Sequence, residues 1–366
     1  MRLSNRQHRR ALWTGGVAAI ATTMIVGAVT SSVSAQSTST TSTKAKGPGY
    51  PPPNGIYKAF TNCPLNNPVM HEDLPITDGG GGFSACVAGG VGSGSITIGN
   101  IVTTVVQPVN VQFGYFIPPK DDNFFPAPAV PPLAGPSAIL STKPDLIPES
   151  LTTALGCPSS DATVENMCQQ AQARGGNYNR VYALAQEAGQ ITNFNIFTWT
   201  QPLKFKLINP LLGSNCYIGS DETPVVVNPS LSVAPGGSLF VDYDPNPTVH
   251  PDTFVLGITV AEASDTTFSA PGVTGCGPSG GVFNVPVDEA IDTSSGLPAA
   301  SGVNSLTLYG SFAIAATTAS EDSSLSQPQD DASDLLAAFK ASTNGEHSVK
   351  HQLAMAQMKA MLLPHS

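Results

Sequence analysis

The clearest alternation in the chain falls at Leu203, Phe205 and Leu207, which are interleaved with Lys204 and Lys206. A period of two puts the three apolar side chains on one face of a strand and both ammonium groups on the other. Asn209-Pro210 and Gly213-Ser214 then break the chain before Cys216. The same period marks Val109, Val111, Phe113, Tyr115 and Ile117, preceded by an Ile-, Val- and Thr-rich run over 95–106, so a first β segment spans 55–117. A second β segment spans 191–316. Its pattern predicts strands at 225–228 and 239–243, and one at 253–261 with Phe254, Leu256, Ile258 and Val260 on one face. Further strands are predicted at 282–287 and at 305–315, the latter with Leu306, Leu308, Phe312 and Ile314 inward.

Between these segments prolines recur over 118–158 too often for a helix or a central strand to persist. Residues 118–190 therefore read as a Pro-rich loop followed by two short helices. Val164, Met167, Cys168 and Ala171 form one stripe, ended by Gly175-Gly176; Val181, Leu184, Ala185 and Ala188 form the second. Residues 317–366 read as an acidic linker and an amphipathic helical tail, with apolar patches at Leu335, Leu336 and Phe339 and at Leu353, Met358, Met361 and Leu362. Docking onto the body or marginal helicity in solution is the expected use of these patches, with contact with a partner or membrane as the alternative. The pattern as a whole predicts a mainly β protein: a disulfide-linked β-sandwich or barrel-like body with a short helical insertion and a helical C-terminal tail.

The two ends of the composition change where this body is expected to reside. Arg2, Arg6, Arg9 and Arg10 precede an uncharged, largely apolar run over 11–30, and Val33-Ser34-Ala35 offers small residues for cleavage, so 1–35 reads as a signal peptide. Arg9-Arg10 leaves both the general and the twin-arginine export routes open. An uncleaved anchor is the competing reading and the one expected route to a membrane. Residues 36–54 are a Ser/Thr/Pro-rich linker with little to bury. Without the four signal arginines, 12 Lys and Arg face 26 Asp and Glu, a formal charge of −14, against −10 for the whole chain. Such a chain repels phosphate backbones, so no nucleic-acid partner is expected.

All six cysteines, Cys63, Cys86, Cys157, Cys168, Cys216 and Cys276, lie beyond the signal. An even number in an exported chain, with no C-x-x-C spacing, favours disulfides over thiols or zinc ligands. Sequential pairing keeps each bridge within one segment and is the expected arrangement among fifteen.

Candidate chemistry is sparse. Gly277-Pro278-Ser279-Gly280-Gly281 matches G-x-S-x-G, but the pattern predicts a strand after it where a nucleophile elbow needs a helix. The 79–82 glycine run lacks the lysine of a phosphate cradle. His71 and His250 sit in polar loops. Asp242, Asp244 and Asn246 place three oxygen-bearing side chains at alternate positions, a weak calcium candidate; Pro247 and Thr253 replace the Gly and Glu of an EF-hand loop. Trp199 is expected in the core rather than on a sugar-binding platform. No catalytic or cofactor-binding residue is assigned, and no cofactor is expected.

Four phrases carry a resemblance: residues 59–64 (AFTNCP), 209–220 (NPLLGSNCYIGS), 268–277 (FSAPGVTGCG), and Gly296-Leu297-Pro298 with 302–308 (GVNSLTL). Together they resemble an uncharacterised family of exported actinobacterial proteins over about 56–316. The resemblance implies export and a β-rich, disulfide-linked body, and brings no activity with it. The expected function is that of a secreted or envelope-associated non-enzymatic protein with a structural, adhesive or binding role, its partner a cell-wall polymer or surface protein. A secreted hydrolase using carboxylates, or an extracellular carbohydrate- or lipid-binding module, is the alternative.

Overall fold

The computed structural model of the chain describes residues 53–71, 83–117, 125–128, 139–141, 143–195, 197–244, 253–277, 285–317 and 331–343. The signal segment, the linker up to residue 52, and the second tail patch lie outside these residues. In chain order the strands are β1 (Phe83–Ile98), β2 (Ile101–Val105), β3 (Val109–Ile117), β4 (Phe125–Pro128), β5 (Ile139–Ser141), β6 (Asp145–Ser150), β7 (Arg180–Glu187) and β8 (Gln201–Ile208). They continue with β9 (Tyr217–Ile218), β10 (Val225–Val227), β11 (Ser230–Val233), β12 (Leu239–Tyr243), β13 (Thr253–Asp265), β14 (Val273–Thr274) and β15 (Ser305–Thr317). The described helices are α1 (Leu151–Ala154), α2 (Ala162–Arg174), α3 (Val285–Ser295) and α4 (Asp331–Thr343).

The protein is mainly β, with two antiparallel sheets and three disulfides, and neither sheet closes on itself. The large sheet runs β11-β13-β15-β1-β3-β4, with β12 beside β13, β2 beside β1 and β5 beside β3. Its centre joins the two β stretches of the sequence: Ala85 pairs with Ala316 and Thr97 with Ser305 across β1 and β15. The small sheet runs β14-β9-β8-β7-β6, with β10 beside β8.

Alternation along β1 gives the large sheet two apolar faces. Ala85 and Val87 join Phe113, Tyr115, Ile258, Phe312 and Ile314, under Ile191 and Phe194 of the β7–β8 connection. Phe194 meets Phe113 edge-on at 5.3 Å, and Trp199 packs partly buried on the same cluster, as expected of a core residue. On the other face Cys86 and Ala88 lie beneath Tyr57, Phe60 and Met70 and beneath α4, which buries Ala332, Leu335, Ala338 and Phe339. The first apolar patch of the tail is therefore a docked helix. Ring centroids of Tyr57 and Phe339 are 4.9 Å apart.

β8 has the predicted alternation, with Leu203, Phe205 and Leu207 buried. They face α2 and α3 through Val164, Met167, Ala171, Val287 and Ile291, together with Ile98, Ile101 and Leu306 from the end of the large sheet. Asp161 caps α2 by accepting from Thr163 N (2.8 Å) and Val164 N (3.0 Å), and Gly175 ends it.

Three sequence expectations are corrected. The stripe Val181, Leu184, Ala185, Ala188 is not a helix; β7 occupies it, hydrogen-bonded to β6 and β8 on both sides. Buried Val181 and Ala183 face the α2 side, a period-two pattern that the helical spacing of the same short run obscures. The strand predicted at 282–287 gives way to α3 from Val285, where Pro286 is tolerated because first-turn N–H groups have no intrahelical partner. Finally, Val260 does not share the face of Phe254 and Ile258. Register shifts between Ile258 and Ala261, leaving Val260 exposed and turning Ala261 and Ala263 inward. The shift falls between Phe312 and Gly310 of β15, beside the point where β1 shifts against the same strand, between Val91 and Ser93.

Candidate functional site

The lysines opposite the buried face of β8 lie on the outer face of the small sheet. Register places Leu184, Lys206 and Tyr217 in one row across β7, β8 and β9, with Gln186 beside Lys204 and Tyr182 beside Ile208. Both ammonium groups stand 5.8 Å from the Tyr217 ring centroid. Lys204 also pairs with Asp221 at 2.6 Å, a carboxylate whose side chain is 64% exposed. No carboxylate among the described residues pairs with Lys206. Arg180, exposed at the start of β7, is in phase with Tyr182 and Leu184 and adds a third cation to the face.

Tyr217 owes its place to the junction behind it. β9 is only two residues long, paired to β8 on one side and β14 on the other. Cys216 and Cys276 bridge the two segments with Cα atoms 4.1 Å apart. Gly277 N donates to Leu212 O at 2.9 Å. Gly213 (φ 75°) and Gly275 (φ 73°) allow this approach: a Cβ on either would meet a backbone oxygen, Gly277 O at 2.4 Å or Asn215 O at 2.3 Å. From α3, Asp288 accepts from Gly275 N (3.1 Å) and Cys276 N (2.8 Å), and Asp292 accepts from Val273 N (2.7 Å). Burial raises both carboxyls above the usual carboxylate range, and these amide bonds only partly offset it.

The enclosed space between α3 and the small sheet is small. A cavity of about 40 Å³ is lined by Asn100, Ile147, Glu149, Thr153, Leu207 and Ser294 among others, room for a water molecule or two rather than an organic substrate. Glu149 Oε2 is buried there without a hydrogen-bond partner, as is Gln201 Oε1 elsewhere in the small sheet.

The cysteines pair sequentially, as Cys63–Cys86, Cys157–Cys168 and Cys216–Cys276, and none of the six is free. Asp242 lies within β12, whereas Asp244 is buried and accepts from the Tyr57 hydroxyl at 3.0 Å; Tyr57 Oη also lies 2.9 Å from Thr253 Oγ1. Burial and the Asp244 charge push the Tyr57 pKa upward. Asn246, the third calcium candidate, lies outside the described residues, as do His250 and Ser279. Among the described residues no three His, Cys, Asp or Glu side chains gather as metal ligands. His71 Nε2 is 2.6 Å from Leu65 O, a contact that closes its own loop. α3 follows the glycine-rich stretch in place of the strand that argued against a nucleophile elbow at Ser279. Among the described residues no helix is long and apolar enough to cross a membrane.

Sequence reasoning left out Tyr217, Glu149, Asp288 and Asp292. Alternation did expose both lysines, but the ring that joins them comes from across a strand pair that no local pattern announces. Comparison with protein-family models, curated proteins and solved structures gave no match.

Proposed function

We propose that this chain is exported and acts outside the cell, free or held in the envelope, as a non-enzymatic binding, adhesive or structural protein. The observation that carries the reading is the outer face of the small sheet, where two lysines stand over Tyr217 and a buried disulfide fixes the strand behind it. Three bridges with at least one cysteine of each fully buried favour an oxidising compartment. The signal-like start and the resemblance to exported actinobacterial proteins support the same location. In this reading the body is a sandwich-like scaffold, supported by the apolar cluster that the ends of β1, β2 and β15 share with the inner face of the small sheet.

The test is capture from envelope fractions and culture medium by the immobilised mature chain, with its reduced and alkylated form as control. Retention of one specific polymer or surface protein by the native form alone is the expected result. Turnover of a substrate in a broad hydrolase screen, abolished by a point substitution, would overturn the reading. Glu149, with its unpartnered carboxylate oxygen, lies on a cavity that admits water and no organic substrate, so Glu149→Gln should leave any such turnover unchanged.

A further inference from the structure

Resting on the binding role above, we infer that the outer face of the small sheet binds a linear acidic polysaccharide, with Tyr217 against its sugar rings and Lys204, Lys206 and Arg180 meeting its carboxylates. The argument begins with charge. The chain carries a formal charge of −10, so most of its surface repels a polyanion. Three cations gathered on one sheet face make it a local exception and orient the approach of an anion. Lys206 lacks a carboxylate partner among the described residues. Lys204, itself 21% exposed, stands over Tyr217 and pairs with Asp221, whose 64% exposed carboxylate can exchange for a ligand carboxylate.

Shape points to the same class. Four strands spaced by about 4.8 Å make β6 to β9 roughly 14 Å across, a sheet face wide enough for an extended chain. The Leu184–Lys206–Tyr217 row alternates apolar, cationic and aromatic groups across it. Both ammonium groups stand over the Tyr217 ring at 5.8 Å, the outer reach of a cation–π contact, so a sugar that lays its C–H groups on the ring must draw them aside onto its own carboxylates. Three cations are too few to hold a duplex against the repulsion of this acidic chain.

Affinity electrophoresis of the mature chain through gels containing polygalacturonate, dextran or poly-glutamate tests the assignment. The expected result is retardation by polygalacturonate alone, fading as added salt shortens the screening length from about 30 to about 3 Å. Lys204→Gln with Lys206→Gln should weaken it roughly tenfold, as two half-buried charge contacts are lost, and Tyr217→Ala should weaken it too. Lys58→Gln, away from the face, should not. An unchanged disulfide map and denaturation midpoint for each variant separate loss of contact from loss of fold. Equal retardation by dextran, wild-type binding by the double variant, or retention by poly-glutamate without polygalacturonate would each overturn the inference. None of these results touches the envelope-capture experiment, so the wider binding reading stands or falls separately.

Discussion

At the residue scale, the Cys216–Cys276 junction concentrates the positions where one atom matters. Gly275→Ala adds a Cβ that points at Asn215 O from a left-handed backbone, so a loss of about 1 to 3 kcal/mol is expected. Denaturant unfolding under non-reducing conditions measures it. Asp288 gives a pH signature. Its carboxyl is raised above 3.8 in the folded chain, mainly by burial, so the folded state holds the proton more tightly than the unfolded state. The resulting stability is fully present below the ordinary value and is lost as pH rises through the raised one. Asp288→Asn removes that titration; stability measured from acid to neutral pH should show the variant gaining on the wild type as pH rises through this window. The glycines and cysteines of this junction were legible as two separate phrases, at 209–220 and 268–277. Their contact was not, because a positive φ and a close backbone approach are properties of the pair, which neither phrase contains alone.

At the scale of elements, hydrophobic period found strands where one face is buried and the other wet. β8 is the purest case, and its inner and outer residues were readable from five positions. β7 failed because Val181, Leu184, Ala185 and Ala188 fit a helical stripe as well as Val181 and Ala183 fit a strand; pairing on both sides decided it. The tail shows the reverse. Its first apolar patch read as a helix, and the structure supplies the partner: Phe339, fully buried against Tyr57 and Phe60. Phe339→Ala should therefore cost about 3 to 5 kcal/mol, the loss of a buried aromatic side chain and the cavity it leaves. A surface-docked tail would instead leave the denaturation midpoint within about 0.5 kcal/mol of wild type.

For the whole molecule, the large sheet is built on a central β1–β15 pairing that joins Ala85 to Ala316, and no period in either strand specifies such a distant partner. The disulfides do not bridge that gap; each ties one region to itself, across sequence separations of 23, 11 and 60. This makes their energetic order a test of what they are for. If each acts by restricting the unfolded chain, Cys216–Cys276 should contribute about 4 kcal/mol, Cys63–Cys86 about 3.5 and Cys157–Cys168 about 3. Paired Cys→Ser variants, compared by denaturant midpoint at fixed slope, measure that order. The structure predicts the same order with one larger gap. Cys216–Cys276 also fixes β9 and the aligned Gly213 and Gly275 backbone behind Tyr217, so its removal should exceed the entropic difference and loosen the outer face as well, seen as faster amide exchange at Tyr217 and Ile218. Loss in simple entropic proportion, with exchange at β9 unchanged, would instead make the bridge a restraint on the unfolded chain alone, and the placement of Tyr217 would then rest on strand pairing with β8.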